Sequence, residues 1–485
     1  MSDRTDDRTD DQTAPLPPLA ADDVPAWDHE TEVLVVGLGA AGAAATVAAA
    51  ESGRRVLALE RTGAGGGTSA MSGGILYLGG GTSTQTGAGY ADTVEEMQAF
   101  LAEVLGRDVD DPRLAAYCAG SVEHHDWLLA HGLPVQPEFW PEPGMEPPGT
   151  EGLVFSGGEN AAPYAARHRP VPRGHVAATP GATGGFLMEH LLAAVAATDA
   201  TVLTDARAEQ LVVDADGTVV GVRARVDGAV QHLRAGRTVL ASGGWAYNDD
   251  LVRAHVPALL DIAWRLGTDN DDGWGLRACQ GVGAGLEHLG TAEVALPITP
   301  PRRMVRCVLV NAKGERFVNE DTYFGHVGQA ALLEQAGQVF MVMDEPRYEV
   351  NMTGMRATWV CETWDELGAE MGLPDGALAA TMDAYNEAAG RGEDPVFGKD
   401  PEFVVPLTEG PFGAVDLRVA ATIYAGFPLG GVAVDESARV LRTDGTAVPG
   451  LFAVGRVASS LAAARYCSGI SLGEGTFFGR VAATV

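Results

Sequence analysis

The sequence predicts a mixed α/β fold: a parallel sheet wrapped by helices, with a smaller α+β unit inserted late in the chain. Three observations predict it. An apolar, β-branched run at 32–36 ends on a glycine turn and an alanine-rich helix, and a second apolar run at 55–59 follows directly, the order of a βαβ unit. Another buried-strand run at 238–244 also ends in glycines and reads as a return to the same sheet. Between it and strand signals at 431–434 and 451–454, residues 289–423 change character, with short strands and a helix pattern at 374–390.

The chain has 485 residues, enough for two or three domains. Residues 1–30 are acidic, Pro-rich and poor in apolar residues, and read as a disordered tail in which Trp27 alone has reason to dock. The expected division is this tail, a first part of the sheet domain at 31–288, the inserted domain at 289–423, and a second part of the sheet domain at 424–485. With Lys+Arg 33 against Asp+Glu 65, the net charge is −32. That favours solubility and repels nucleic acid and anionic lipid. No apolar stretch is long enough to span a bilayer, and no apolar signal core opens the chain. Cys118, Cys279, Cys307, Cys361 and Cys467 are scattered, without CxxC or ligand spacing. They read as free thiols of a reducing, cytoplasmic compartment, with no metal.

Taken in order, the first signal is Gly37-Leu38-Gly39-Ala40-Ala41-Gly42, a GxGxxG. Its first glycine allows the tight turn, the second lets backbone approach a pyrophosphate, and the third lets helix and strand pack closely. The helix stops at Ser52-Gly53, and the second strand ends at Glu60, 23 residues after Gly37, where a carboxylate meets ribose hydroxyls. Strand, turn, helix and acid together predict a Rossmann-like dinucleotide site. Residues 63–74 are dense in glycine and hydroxyls, suited to wrapping a long phosphorylated cofactor. A helix capped by Thr93-x-x-Glu96 follows, then another from Asp111-Pro112 that carries His124 and His125. The paired histidines lack an acidic or cysteine partner at ligand spacing and are expected at the surface. Residues 134–182, with Phe139, Trp140, Met145, Phe155 and Tyr164, read as a lid or irregular cover. A helix is expected at 183–197 and a small meander at 201–204, 211–214, 219–225 and 231–234, turning at Asp216-Gly217. Asp271-Asp272-Gly273 precedes a helix, and the last helix opens near Ser471.

At this level the chain resembles the flavoprotein superfamily of fumarate reductases and 3-ketosteroid dehydrogenases. The resemblance rests on the fingerprint and on an ordered set of motifs: GGTSAMSGG (66–74), LVVDADGTVVGV (211–222), VLASGGW (239–245), VLVNAKGERFVNE (308–320), GPFGA (410–414), PLGGVAVD (428–435) and GLFAVG…GEGTFFGR (450–480). It implies FAD, and a substrate-capping, catalytic domain inserted into the FAD-binding domain. The cofactor set it implies is Gly37, Gly39, Ala40, Ala41, Gly42, Glu60 and Arg61. To these it adds Gly67, Thr68, Ser69, Ser72, Gly73 and Gly74. From later in the chain come Ala206, Ser242, Gly243, Asp272, Gly455, Ser471 and Leu472. Covalent flavin attachment needs a histidine near the glycine-rich segment; none lies between His29 and His124, so dissociable FAD is expected. Where relatives place an acid or amide beside the ribityl chain, this chain has Arg456.

The substrate class follows from departures. Fumarate reductases hold a dicarboxylate with arginine and histidine; at two of those positions this chain has Phe324 and Phe427, which favour a flat apolar ligand. Tyr466-Cys467-Ser468-Gly469 resembles the Tyr-x-Ser-Gly element of the Δ4-(5α) 3-ketosteroid dehydrogenases, and Tyr323 matches a tyrosine that these and the Δ1 enzymes share. The resemblance implies desaturation of a 3-ketosteroid, with a proton leaving carbon 4 and a hydride leaving carbon 5 for the flavin. Tyr466 and the Gly469 N–H stabilise the developing oxyanion, and Ser468 takes the proton with Tyr323 as relay; a second assignment makes Tyr323 the direct base. The alternatives within the class are a Δ1-dehydrogenase or a fumarate-reductase-like enone reductase on another apolar substrate. The partners implied are a steroid and an external electron acceptor, with no nucleic acid and no membrane insertion.

Overall fold

A computed structural model describes residues 12–142, 147–181, 183–299, 301–351, 354–462 and 464–485. At its centre five strands run parallel in the order Thr201–Leu203, Val56–Leu59, His29–Val36, Ala229–Leu240 and Ala447–Ala453. Val33 to Val36 and Val56 to Leu59 are all buried, as expected of parallel strands covered on both faces. Gly37 turns the chain at φ +100°, and a Cβ there would stand 2.5 Å from the Ala241 carbonyl oxygen. One on Gly42 would stand 1.8 Å from the Gly37 oxygen. The Ala40–Glu51 helix can therefore lie against the turn only with glycine at both places. Its residues 40–49 are buried on every side, because alanine permits close approach to the sheet and to the final helix, Ile470–Thr484.

The long strand Ala229–Leu240 serves two purposes. Its first half pairs antiparallel with Val219–Val226, and its second half runs parallel to His29–Val36. The runs at 231–234 and 238–244 are thus parts of one strand up to Leu240, and Thr201–Leu203 joins the parallel sheet rather than the meander. A separate antiparallel sheet is built from Val308–Asn311, Val339–Asp344, Phe412–Asp416 and Trp359–Cys361, backed by the Trp364–Glu370 and Ala377–Ala389 helices. A three-stranded sheet joins Trp264–Arg265, Ala425–Pro428 and Ala292–Ala295, and so ties segments on either side of 289 and 423.

Three expectations are corrected. Residues 12–30 are not a loose tail: Leu19–Ala20 pair with Val212 and Val213, and the Leu16 N–H and Ala14 carbonyl both bond Arg277. An acidic, Pro-rich segment still docks when a strand edge and one arginine satisfy its backbone. Trp27 lies under the Arg234 guanidinium. Residues 1–11 lie outside the described residues. His124 and His125 are buried rather than exposed; each ring Nε2 finds a threonine hydroxyl at 2.8 Å, Thr476 and Thr84 respectively, so a neutral imidazole is accommodated. The cover at 134–182 contains regular structure: Gln136–Trp140, Glu151–Val154 and Gly174–His175 form a sheet with Leu76–Tyr77. Met145 lies outside the described residues. All five cysteines are free. Among the described residues no helix is long and apolar enough to cross a membrane, and no cluster could hold a metal ion.

Candidate active site

The carboxyl ends of the central strands open onto a cleft of about 600 Å³, the place where open α/β sheets present ligand sites. Two helix N-termini face it. The Ala40–Glu51 and Ile470–Thr484 helices begin without a side-chain cap, and Ala40, Ala41, Ser471 and Leu472 line the cleft. The Ser69 hydroxyl accepts the Ala40 N–H at 3.1 Å; the other first-turn N–H groups and both dipoles suit an anionic ligand. Glu60 ends its strand at the cleft and accepts the Leu38 N–H at 3.0 Å and the Thr62 N–H at 2.9 Å. It therefore also ties down the glycine turn. Ser242 lines the cleft, and its hydroxyl is buried without a partner among the described residues, so close to Gly275 that a Cβ there would stand 2.3 Å from it.

The loops around this end are knitted by carboxylates. Asp271, 3 % exposed, accepts from the Thr68 hydroxyl at 2.8 Å, the Gly244 N–H at 2.9 Å, the Thr268 N–H at 3.1 Å and Arg456 Nη2 at 2.6 Å. Asp272 pairs with Arg61 at 2.8 Å and with Arg207 at 3.6 Å. The cations that line the cleft, Arg61, Arg207 and Arg456, thus all have acidic partners.

The other end is aromatic. Tyr323 and Phe324 have ring centroids 4.6 Å apart, and Phe427 meets Tyr466 edge-on at 5.7 Å. The Arg456 guanidinium stands 5.3 Å over the Phe427 ring. The turn before the final helix supplies Tyr466, Ser468 and Gly469, all lining the cleft. Three hydrogen bonds pin it: the Ser468 N–H to Ser156 O at 2.8 Å, the Tyr77 N–H to Gly469 O at 3.0 Å, and His326 Nε2–H to Tyr466 O at 2.9 Å. Gly469 caps the helix at φ +95°, and no acceptor for its N–H is found among the described residues. The Tyr466 hydroxyl lies 3.1 Å from Ser471 Oγ.

Burial sets the protonation states. It pushes the Tyr323 and Tyr466 phenols well above their ordinary range, helped by the charge of Glu293, so both are proton donors at neutral pH. It drives His326 down to about 3, so that ring is neutral. It raises the Glu293 carboxyl to about 8.

The cleft brings together every expected cofactor, catalytic and substrate-pocket residue except Gly42, which lies behind the turn and acts through packing. Sequence reasoning missed Glu293 and Asp271. The only signal for Glu293 was an acid inside the apolar run Ala292-Glu293-Val294-Ala295. Asp271 stood in plain view beside Asp272 and was read only as a helix entry.

A family model described as an FAD binding domain matches residues 32–472. The chain is 28% identical to a 3-oxo-5-alpha-steroid 4-dehydrogenase of Comamonas testosteroni, over 90% of this chain and 94% of that one. A solved structure of 3-ketosteroid Δ4-(5α)-dehydrogenase from Rhodococcus jostii RHA1, in complex with 4-androstene-3,17-dione, is 41% identical with a TM-score of 0.91, covering 97% of this chain and 99% of that one. The 3-ketosteroid Δ1-dehydrogenase of Sterolibacterium denitrificans shares the fold at 19% identity and a TM-score of 0.67, covering 94% of this chain and 99% of that one.

Asp271→Ala leaves the Arg456 guanidinium and three further donors without their acceptor. It is expected to destabilise the folded protein by about 3 kcal/mol and to loosen the bound dinucleotide, as urea denaturation and flavin release measure.

Proposed function

Because the chain belongs to the FAD-binding family, we propose that it is an FAD-dependent 3-ketosteroid dehydrogenase of the Δ4-(5α) type, converting a saturated 5α-3-ketosteroid to its 4-ene. The observation that carries this reading is the pinned turn, which presents a phenol, a hydroxyl and an unengaged backbone N–H to an aromatic end of the cleft. The activities named for the Comamonas and Rhodococcus proteins support it. The pairing of Arg61, Arg207 and Arg456 with Asp271 and Asp272 supports it too, since a dicarboxylate would need cations to spare.

In this reading the glycine turn from Gly37 and the first turns of both helices hold the dinucleotide, with Glu60 at the ribose and Ser242 along the wall of the cleft. Residues 31–288 and 424–485 form the FAD-binding domain, and 289–423 the capping domain. Support for that division comes from the last strand of the parallel sheet, Ala447–Ala453, and from the separate antiparallel sheet between Val308 and Asp416. The flavin, when bound, supplies the acceptor for the hydride that leaves carbon 5. The chain's own residues do the proton chemistry. The proton on carbon 4 becomes removable as charge moves onto the ketone oxygen. The Tyr466 hydroxyl and the Gly469 N–H donate to that oxygen, in an oxyanion-hole arrangement. Ser468 takes the proton. Tyr323, held protonated by burial, serves as its relay rather than as the direct base. Phe324 and Phe427 line the substrate end and exclude water. An external acceptor then reoxidises the enzyme.

Two outcomes test this reading. No histidine lies between His29 and His124, so FAD is expected to be dissociable: acid precipitation should leave all the yellow colour in the supernatant, and a yellow pellet would refute that. In anaerobic mixing with a saturated 5α-3-ketosteroid, Tyr466→Phe is expected to slow flavin bleaching by ~100-fold through loss of one oxyanion donor. Ser468→Ala is expected to slow it at least ~100-fold through loss of the proton acceptor, with FAD retained. Full activity of Ser468→Ala would return the base to Tyr323.

A further inference from the structure

Glu293 lies on the strand Ala292–Ala295, opposite Phe427 in register. It is 3 % exposed and lines the cleft. Its Oε1 accepts the Tyr323 hydroxyl at 3.3 Å. Its Oε2 is buried, and among the described residues it has no hydrogen-bond partner and no cation forms an ion pair with the carboxyl. A buried carboxyl with an idle oxygen and no countercharge is costly. The surrounding chain nevertheless makes room for it: a Cβ on Gly325 would stand 2.8 Å from Oε1. The Ser468 hydroxyl also acts on the Tyr323 phenol, favouring its ionised form.

We infer that Glu293 is the terminus of the proton relay, receiving through Tyr323 the proton that Ser468 takes from the substrate. The inference rests on the proposed function. The C4–H bond breaks and its electron pair enters the enolate, then the new C4=C5 bond as the hydride leaves carbon 5 for the flavin. The proton bonds to Ser468 Oγ, the Ser468 proton passes to Tyr323 Oη, and the Tyr323 proton passes to Glu293 Oε1. Serine and tyrosine end as they began, and the carboxylate ends as a carboxylic acid. Neither hydroxyl is a competent base alone; the relay gives them one.

The groups whose charges bear on Glu293 come from two elements. Tyr323 stands at the start of the helix Phe324–Gln329 with His326 one turn on, and Tyr466 and Cys467 stand on the turn before the final helix. Burial holds the two phenols and the thiol protonated and His326 neutral at working pH. Titration near 8 therefore belongs to Glu293. Its ionised form is the acceptor, so proton removal strengthens as pH rises through that value.

The test compares wild-type holoenzyme with Glu293→Gln, which keeps an oxygen for Tyr323 but takes no proton, and with Glu293→Asp. Flavin bleaching by a saturated 5α-3-ketosteroid in wild type is expected to quicken with pH around a midpoint near 8. Glu293→Gln is expected to be at least ~100-fold slower at the plateau and flat with pH, with flavin content and steroid Kd unchanged. Glu293→Asp is expected to recover the pH limb. Without substrate, an infrared carboxylic-acid band is expected to vanish across the same pH range in wild type and to be missing in Glu293→Gln. A Glu293→Gln enzyme that keeps the wild-type rate and limb overturns the relay alone. So does a rate that falls only together with flavin content and steroid binding in both variants. Wild type that no 3-ketosteroid bleaches at any pH overturns the proposed function, and this inference with it, whatever the infrared band does.

Discussion

The turn from Tyr466 to Gly469 is fixed at three points by three distant parts of the chain, and the chemistry of the site depends on that constraint. Ser156, Tyr77 and His326 each engage its backbone. Two of these partners come from the cover at 134–182 and the small sheet it shares with Leu76–Tyr77; the third comes from the helix that begins beyond Tyr323. A phenol and a backbone N–H can meet one ketone oxygen while a hydroxyl meets the neighbouring carbon only if the turn cannot relax. His326 serves this purpose because burial keeps it neutral, with one ring nitrogen donating to Tyr466 O and the other facing the Thr322 hydroxyl at 3.2 Å.

The cleft divides by polarity. At the cofactor end, charge is abundant and paired: Asp271 and Asp272 absorb Arg61, Arg207 and Arg456, leaving helix N-termini as the uncommitted positive ends. At the aromatic end, charge is scarce, and what is there is protonated by burial. An apolar substrate and an anionic dinucleotide thus meet different surfaces of one cavity. Arg456 stands at the border, paired with Asp271 and stacked on Phe427. It anchors the substrate-side ring to the cofactor-side carboxylate.

What was legible in the sequence was what is contiguous in it. Gly37 to Glu60 reads as a nucleotide site because turn, helix and acid lie within one βαβ unit, where spacing translates directly into geometry. The Tyr466-to-Gly469 element is likewise four adjacent residues. The parts that escaped depend on register and tertiary contact. Glu293 reaches Tyr323 only because the Phe324–Gln329 helix packs on its strand, with Gln329 bonded to the Ala292 carbonyl and Gly328 against Val294, a contact that no local pattern shows. His124 and His125 were misjudged because their satisfaction comes from Thr476 and Thr84, which no local pattern shows. Residues 12–30 were misjudged because composition reports how much apolar surface a segment can bury, not whether a strand edge waits for it.

The central claim is that the pinned turn directs proton loss to carbon 4 of a saturated ring. The most direct measurement is the structure of the product formed from a saturated 5α-3-ketosteroid with an artificial electron acceptor, read by nuclear magnetic resonance. The account predicts the 4-ene, and no further reaction when that 4-ene is supplied alone. Formation of a 1,2 double bond from either compound would contradict it.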